Sequence, residues 1–296
     1  VSALITVKNI RKVYRVGNEK VVALDNINIE IDQGEICCIL GTSGSGKSTL
    51  LNQLAGLEKP SSGSVFIGKH NISIMGEDQL ASFRQRNIGF IFQSYNLLGA
   101  LTAAENVSMP LLFRGVDRSI RDKAAREMLH KVGLADRASH KPSEMSGGQQ
   151  QRVGIARAFV AKPKIVFADE PTGNLDTKTT IEVMEMLVNM AHDNNITFIL
   201  VTHDNELARY ADRIITIRDG RVIDDVRNTR KRIVGNRGAP EPLDQDMADD
   251  STEDQAAQVQ PLGELTSEAA PIEVPSLATQ VGEESPTQTE LTTTTP

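Results

Sequence analysis

Cysteine is almost absent from this chain. Two occur among 296 residues, and they are neighbours, Cys37 and Cys38. Adjacent strand residues point to opposite faces of a sheet, so a disulfide between them is not expected. They read as small buried apolar residues of a reducing compartment, with nothing nearby to lower a thiol pKa. Long apolar runs are missing as well: none approaches the ~18 residues that a membrane-spanning helix needs. No secretory leader is visible after Val1, so the expectation is a soluble, cytoplasmic chain. Basic residues vanish from Gly238 onward, where 13 of the 39 acidic residues fall, leaving 32 basic against 26 acidic residues in positions 1–237. The low isoelectric point therefore belongs to a tail, and the remainder is mildly basic. That balance suits a polyphosphate ligand without demanding nucleic acid. No internal repeat is present, which excludes solenoid and propeller architectures.

One dense motif stands out. Gly41, Thr42, Ser43, Gly44, Ser45, Gly46, Lys47 and Ser48 form a complete G-x-x-x-x-G-K-S loop, followed by Thr49. The glycines allow a tight turn whose successive N–H groups face inward and cradle phosphate oxygens. Lys47 is placed to reach the β- and γ-phosphates and the Ser48 hydroxyl to bind Mg²⁺. The flanks agree. Residues 35–40 read as a short buried strand and residues 48–55 as a helix opening, whose N-terminus favours anions.

The organisation along the chain is mixed. Residues 4–7, 12–16, 21–24 and 27–31 read as short β-rich runs, with Gly17-Asn18 breaking the second from the third, as in an antiparallel sheet half open to solvent. Residues 64–68 and 88–92 are further strands. Helical patterns cover 102–109, 119–132 and 148–160, the second carrying Ala124, Met128, Leu129 and Val132 as an apolar stripe. Residues 94–160 thus read as a helical insertion between two strands of an α/β core. Strand 165–168, helix 177–191 with Ile181, Met184, Leu187, Val188 and Ala191 on one side, and strand 196–201 follow. A hairpin spans 213–226 about Asp219-Gly220. Alternating strands and helices predict a parallel sheet covered on both faces. Regular patterns end at Val226. The basic stretch 227–238 reads as a linker and the acidic 239–296 as a disordered tail.

Strand 165–168 ends in Asp169-Glu170. An acid at the tip of a parallel strand facing a phosphate loop can hold Mg²⁺, and its neighbour can polarise the attacking water. Residues 143–152 read SEMSGGQQQR, with Ser146 lying 23 residues before Asp169. Ser146, Gly147, Gly148 and Gln149 closely resemble the signature of ATP-binding cassette (ABC) ATPases, with Met145 where leucine is usual, a swap of similar volume. The motif order continues the resemblance. Gln93 is similar to the Q-loop glutamine, residues 171–176 ending in Asp176 to the D-loop, His203 to the H-loop histidine, and Tyr14 to the A-loop aromatic.

The resemblance covers about residues 3–226 and implies a P-loop ABC core with an N-terminal antiparallel β-subdomain and an inserted α-helical subdomain. It implies ATP as ligand with Mg²⁺ held at Ser48, Gln93 and Asp169, and Glu170, His203, Lys47 and Gln93 acting in hydrolysis. It implies Tyr14 stacking on adenine. Two copies would dimerise head to tail, each Ser146–Gly148 turn capping the γ-phosphate on the other copy's loop. Residues 92–98, 101–107, 109–112, 168–176 and 201–204 resemble the LolD/MacB class, which implies an integral-membrane permease, a periplasmic or extracellular adaptor, and work at the cytoplasmic face of the membrane, without nucleic acid. A coupling helix of that permease would meet the groove between core and insertion, near Gln93 and residues 97–105, where the apolar Leu97, Leu98 and Leu101 read equally as docking contacts or as helix packing within the domain. The alternatives are a mechanotransmission ATPase that moves no cargo, and a soluble ABC ATPase. Against the second, the chain carries neither a coiled-coil insertion nor a second cassette.

Overall fold

The computed structural model describes residues 3–229. Two long antiparallel strands, β1 (Ala3–Val16) and β2 (Glu19–Asp32), turn at Gly17-Asn18. The four expected short runs are thus two continuous strands. Register shifts within β1, with Asn9 (φ 50°) and Asn26 (φ 55°) in the left-handed region, interrupt the apolar alternation while pairing continues. β3 (Ile36–Leu40) leaves this sheet, and α1 (Lys47–Leu54) follows the Gly-rich loop. β4 (Ser62–Ile67) and the two-residue β5 (His70–Asn71) return to complete a four-stranded antiparallel sheet in the order β2-β1-β4-β5.

α2 (Glu77–Asn87) has no counterpart among the sequence expectations. It buries only Leu80 and Phe83, too sparse a stripe to read, and its start is fixed by Gln79 Oε1 accepting from the Gly76 amide at 3.1 Å. β6 (Ile88–Phe92) then leads into α3 (Ala103–Phe113), α4 (Arg118–Lys131) and α5 (Gly147–Phe159), and β7 (Ile165–Asp169) returns to the core. Thr102 and Glu105 start α3 by reciprocal capping bonds: Thr102 Oγ1 accepts from Glu105 N, and Glu105 Oε2 accepts from Thr102 N. On α4 it is Ala125 and Leu129 that are buried, while Ala124 and Met128 lie at the stripe's edge.

α6 (Thr177–Asp193), β8 (Thr197–Thr202), the short α7 (Asn205–Ala208), β9 (Arg213–Arg218) and β10 (Arg221–Arg227) finish the described chain. The second sheet has six strands in the order β10-β9-β3-β8-β7-β6, all parallel neighbours except β10. Its two faces carry separate apolar cores, Cys37 belonging to one and Cys38 to the other. The two thiols therefore diverge, as strand geometry requires. Residues β3, β7 and β8 bury on both faces, which explains their unbroken apolar runs.

Arg227 belongs to β10 and pairs at 3.7 Å with both Asp32 and Glu35. The rest of the basic linker from position 230, and the whole acidic tail, lie outside the described residues.

Candidate active site

The phosphate-loop segment Gly41–Ser48 joins the C-terminal end of β3 to α1, and backbone crowding dictates its glycines. A Cβ on Gly41 would lie 2.3 Å from Ile217 O, and one on Gly46, which starts α1 at φ 102°, would lie 2.6 Å from Ala23 O. The loop is thus wedged between β2 and the β9–β10 hairpin. Gly220, in the turn of that hairpin, donates its amide to Ser45 O at 2.9 Å. The first amides of α1 have no intrahelical partner. Lys47 is 7% exposed, and its Nζ donates to Thr42 O at 2.8 Å, folding the ammonium back over the loop. Ser45 is buried and its Oγ has no hydrogen-bond partner. An orphaned hydroxyl beside free amides and a curled lysine is a donor set that fits a polyphosphate.

β7 delivers Asp169 beside Ser48, which hydrogen-bonds to it. Burial pushes the Asp169 carboxyl above its ordinary range and the neighbouring Glu170 adds to this, while Lys47 and Ser48 pull it back. A carboxylate and a hydroxyl meeting at the loop are hard oxygen donors, and they fit Mg²⁺ bound between protein and phosphates.

Glu170 follows at φ 47°, a left-handed conformation uncommon for a residue with a Cβ. Its amide donates to Val201 O at 3.0 Å, and its own carbonyl accepts from Gly173 N at 3.1 Å, which hold the turn. The side chain lands with Oε1 2.7 Å from His203 Nδ1. The histidine ring is 67% exposed and the carboxylate 18% exposed, so the pair lies at the cleft wall with one member inside. Gln93, just past β6, accepts at its carbonyl from Asn174 Nδ2 at 3.0 Å.

One cleft is lined by Thr42, Ser43, Gly44, Gly46, Lys47, Ser48 and Thr49 together with Gln93, Glu170 and His203. Residues from four separate stretches of sequence therefore converge. Ala23 of β2 joins that wall, and no sequence signal marked it. Tyr14 is not on it. Its hydroxyl donates to Glu58 Oε2 at 2.6 Å, Lys12 Nζ stands 5.1 Å from its ring centroid, and Thr49 is a further hydrogen-bond neighbour. Burial, then the bond to Glu58, raises the phenol's pKa.

Ser146, Gly147, Gly148 and Gln149 also lie off the cleft, at the start of α5. Ser146 Oγ accepts from Gln149 N at 3.4 Å, and Gln149 Oε1 accepts from Ser146 N at 3.0 Å. Asp176 caps α6, accepting from Thr179 N at 3.0 Å and from the Thr179 hydroxyl at 2.6 Å, bonds that hold its carboxyl below the ordinary range. Within one chain, then, two groups of expected site residues form separate surfaces.

A groove lies between core and insertion. It is lined by Leu57, Phe90 and Phe92 on the core side and by Pro110, Phe113 and Ala161 on the other. Of the leucines expected at a docking surface, Leu97 packs against the core, Leu101 lines a different cleft between α3 and α4, and Leu98 is exposed. Asn106, fully buried, bonds Leu98 N and the carbonyls of Leu98, Leu101 and Thr102, curling that loop onto the insertion.

The profile of the ABC transporter family matches residues 24–173. A lipoprotein-releasing system ATP-binding protein LolD of Geobacter metallireducens is 49% identical over 224 residues, covering 76% of this chain and 100% of that protein. A macrolide export ATP-binding/permease protein MacB of a Shewanella species is 45% identical over 229 residues, 77% of this chain but only 35% of that protein. Among solved structures, the dimeric post-hydrolysis state of the ATP-binding cassette MJ0796 bound to ADP and Pi superposes with a TM-score of 0.71 at 42% identity, covering 75% of this chain and 98% of that one.

Proposed function

This chain belongs to the ABC transporter ATP-binding family, and from that membership we propose that it is the ATP-hydrolysing subunit of a LolD/MacB-type membrane system, working as a head-to-tail homodimer. The observation that carries the reading is the meeting of Glu170 and His203 at 2.7 Å in the same cleft as Lys47 and Ser48. A phosphate cradle alone binds; a cradle faced by a carboxylate–imidazole pair can also activate water.

In this mechanism the loop amides and Lys47 hold the β- and γ-phosphates. Ser48 and Asp169, with Gln93, would hold Mg²⁺, which when bound would supply positive charge against the charge developing on the phosphates. Glu170 orients a water in line with the γ-phosphorus. The new O–P bond forms as the bond to the bridging oxygen breaks, and the water's proton leaves toward the carboxylate. His203 holds Glu170 in place and adds a donor for the transferring group. The position of the Ser146 turn and Asp176 off their own chain's cleft supports a second copy that supplies them. ATP binding then closes the dimer and hydrolysis releases it. Tyr14, anchored by Glu58 beside Thr49, is assigned to the base.

The groove of Leu57, Phe90, Phe92 and Phe113 is assigned to a helix of the permease. Leu57 and Phe113 are 46% and 65% exposed, an apolar cost that a docked partner removes. No helix among the described residues is long and apolar enough to cross a membrane, and the membrane passage is assigned to that partner, with this chain peripheral at the cytoplasmic face.

The test is a pull-down of the Glu170→Gln chain from detergent-solubilised native membranes with Mg-ATP. Recovery of a permease with few membrane helices and a large external domain supports the reading, and that domain points to the cargo. Recovery of soluble partners or nucleic acid alone sinks it.

A further inference from the structure

The segment after Gln93 holds an unusual backbone. Tyr95 (φ 59°) and Asn96 (φ 48°) are consecutive non-glycine residues in the left-handed region. Such a pair is sterically disfavoured and persists only when its surroundings over-determine it. One side chain does so. Arg157, near the end of α5, donates Nη2 to Tyr95 O at 2.8 Å and Nη1 to Asn96 O at 2.6 Å. A planar guanidinium can span two successive carbonyls only when they converge, and the left-handed pair makes them converge. These two carbonyl dipoles answer the charge of a guanidinium that is largely buried.

The same tyrosine touches the other end of the same helix. A Cβ on Gly147, the first residue of α5, would lie 2.8 Å from Tyr95 Oη, and one on Gly154 would lie 3.8 Å from Tyr95 O. Gly147, Gly154 and Arg157 follow one another at spacings of seven and three, so a single helix face meets the segment at three points. On its other flank, Gln93 is bonded through its carbonyl to Asn174, and a Cβ on Gly173 would lie 2.7 Å from Gln93 Nε2.

We propose that Arg157, acting through Tyr95, is a positioning residue that fixes Gln93 and the Ser146–Gly148 turn in one rigid register, so that a shift of Gln93 at one nucleotide moves the turn that serves the other. The proposal rests on the ATPase and dimer reading for its functional consequence. The lock itself does not.

Two substitutions in the full chain separate the parts. Arg157→Met removes both carbonyl bonds. Tyr95→Gly suits the left-handed backbone and keeps the carbonyl that Arg157 holds, but deletes the ring against Gly147. For both, kcat for Mg-ATP should fall about tenfold with KM within about twofold, because alignment and not nucleotide binding is lost. In parallel, amide hydrogen exchange over residues 146–149 should speed up several-fold in Tyr95→Gly at unchanged melting temperature. A folded variant with wild-type kcat overturns the inference, as does unchanged exchange at the turn. If Arg157→Met fails to fold, Tyr95→Gly decides alone. A wild-type chain that hydrolyses no ATP would sink the ATPase reading, and the exchange experiment would still decide the lock.

Discussion

Glu170 Oε1 stands 2.7 Å from His203 Nδ1, and the carboxylate reaches that point from a backbone held at φ 47°. The left-handed turn aims the side chain across the strand ends toward β8, where His203 follows Thr202. Strain of this kind costs on the order of 1–3 kcal/mol and is tolerated where geometry matters more than stability.

Replacing Glu170 by Gln keeps the turn and removes the carboxylate proposed as base. ATP binding should persist, kcat should fall about 100-fold or more, and a nucleotide-bound dimer should accumulate on size exclusion. Hydrolysis at the wild-type rate would falsify the assignment of Glu170 as base.

Asp169 gives a prediction with opposite signs for stability and activity. Its folded pKa is raised, first by burial and then by Glu170. A group so shifted contributes stability at low pH that is lost as pH rises through the folded value. Asp169→Asn should therefore melt higher than wild type at pH 8 without nucleotide, with a smaller gap at pH 5, while Mg²⁺-dependent turnover drops at least ~100-fold. A variant less stable than wild type at pH 8 would contradict the burial argument.

The two thiols should be silent. Both are fully buried; burial pushes Cys38 up to about 12 and Cys37 well above the ordinary thiol range. Both stay protonated at pH 8, so iodoacetamide should leave the native chain unmodified and label two sites in denaturant, read by mass. Fast native labelling would show that the central strand opens.

Phe113→Glu probes the groove. The ring is 65% exposed, so the substitution should change stability by no more than about 0.5 kcal/mol and leave basal ATP turnover intact. Co-purification with the membrane partner should be lost. Retained association would move the docking surface elsewhere.

Much of this was legible in the chain itself. The phosphate loop, Asp169-Glu170 and the Asp219-Gly220 turn are local patterns whose chemistry dictates their geometry, and residues 165–168 could be read from continuous burial. What escaped was either too faint or too far apart. α2 shows only two buried residues in eleven. The bulges at Asn9 and Asn26 hide long strands behind broken alternation. Arg157 lies 61 and 62 residues from the carbonyls it holds, and no spacing rule links them. The left-handed backbone of Glu170 has no compositional mark, since glycine would be the usual sign of it. Asn106 ties Leu98, Leu101 and Thr102 together from a buried position, and no sequence pattern marks that role.

The bond from Gly220 N to Ser45 O has a bearing on how the molecule comes into being. Its wedge, Ala23 on one side and the β9–β10 turn on the other, is assembled from segments nearly two hundred residues apart. During synthesis the loop at 41–48 leaves the ribosome early, as an unbraced run of glycine and serine. Its bracing is complete only after residue 220 has emerged and β9 has settled beside β3. The finished form of the loop is therefore a late event in the life of the nascent chain. A product cut short before the last hairpin would carry every residue of the motif without the wedge that braces it.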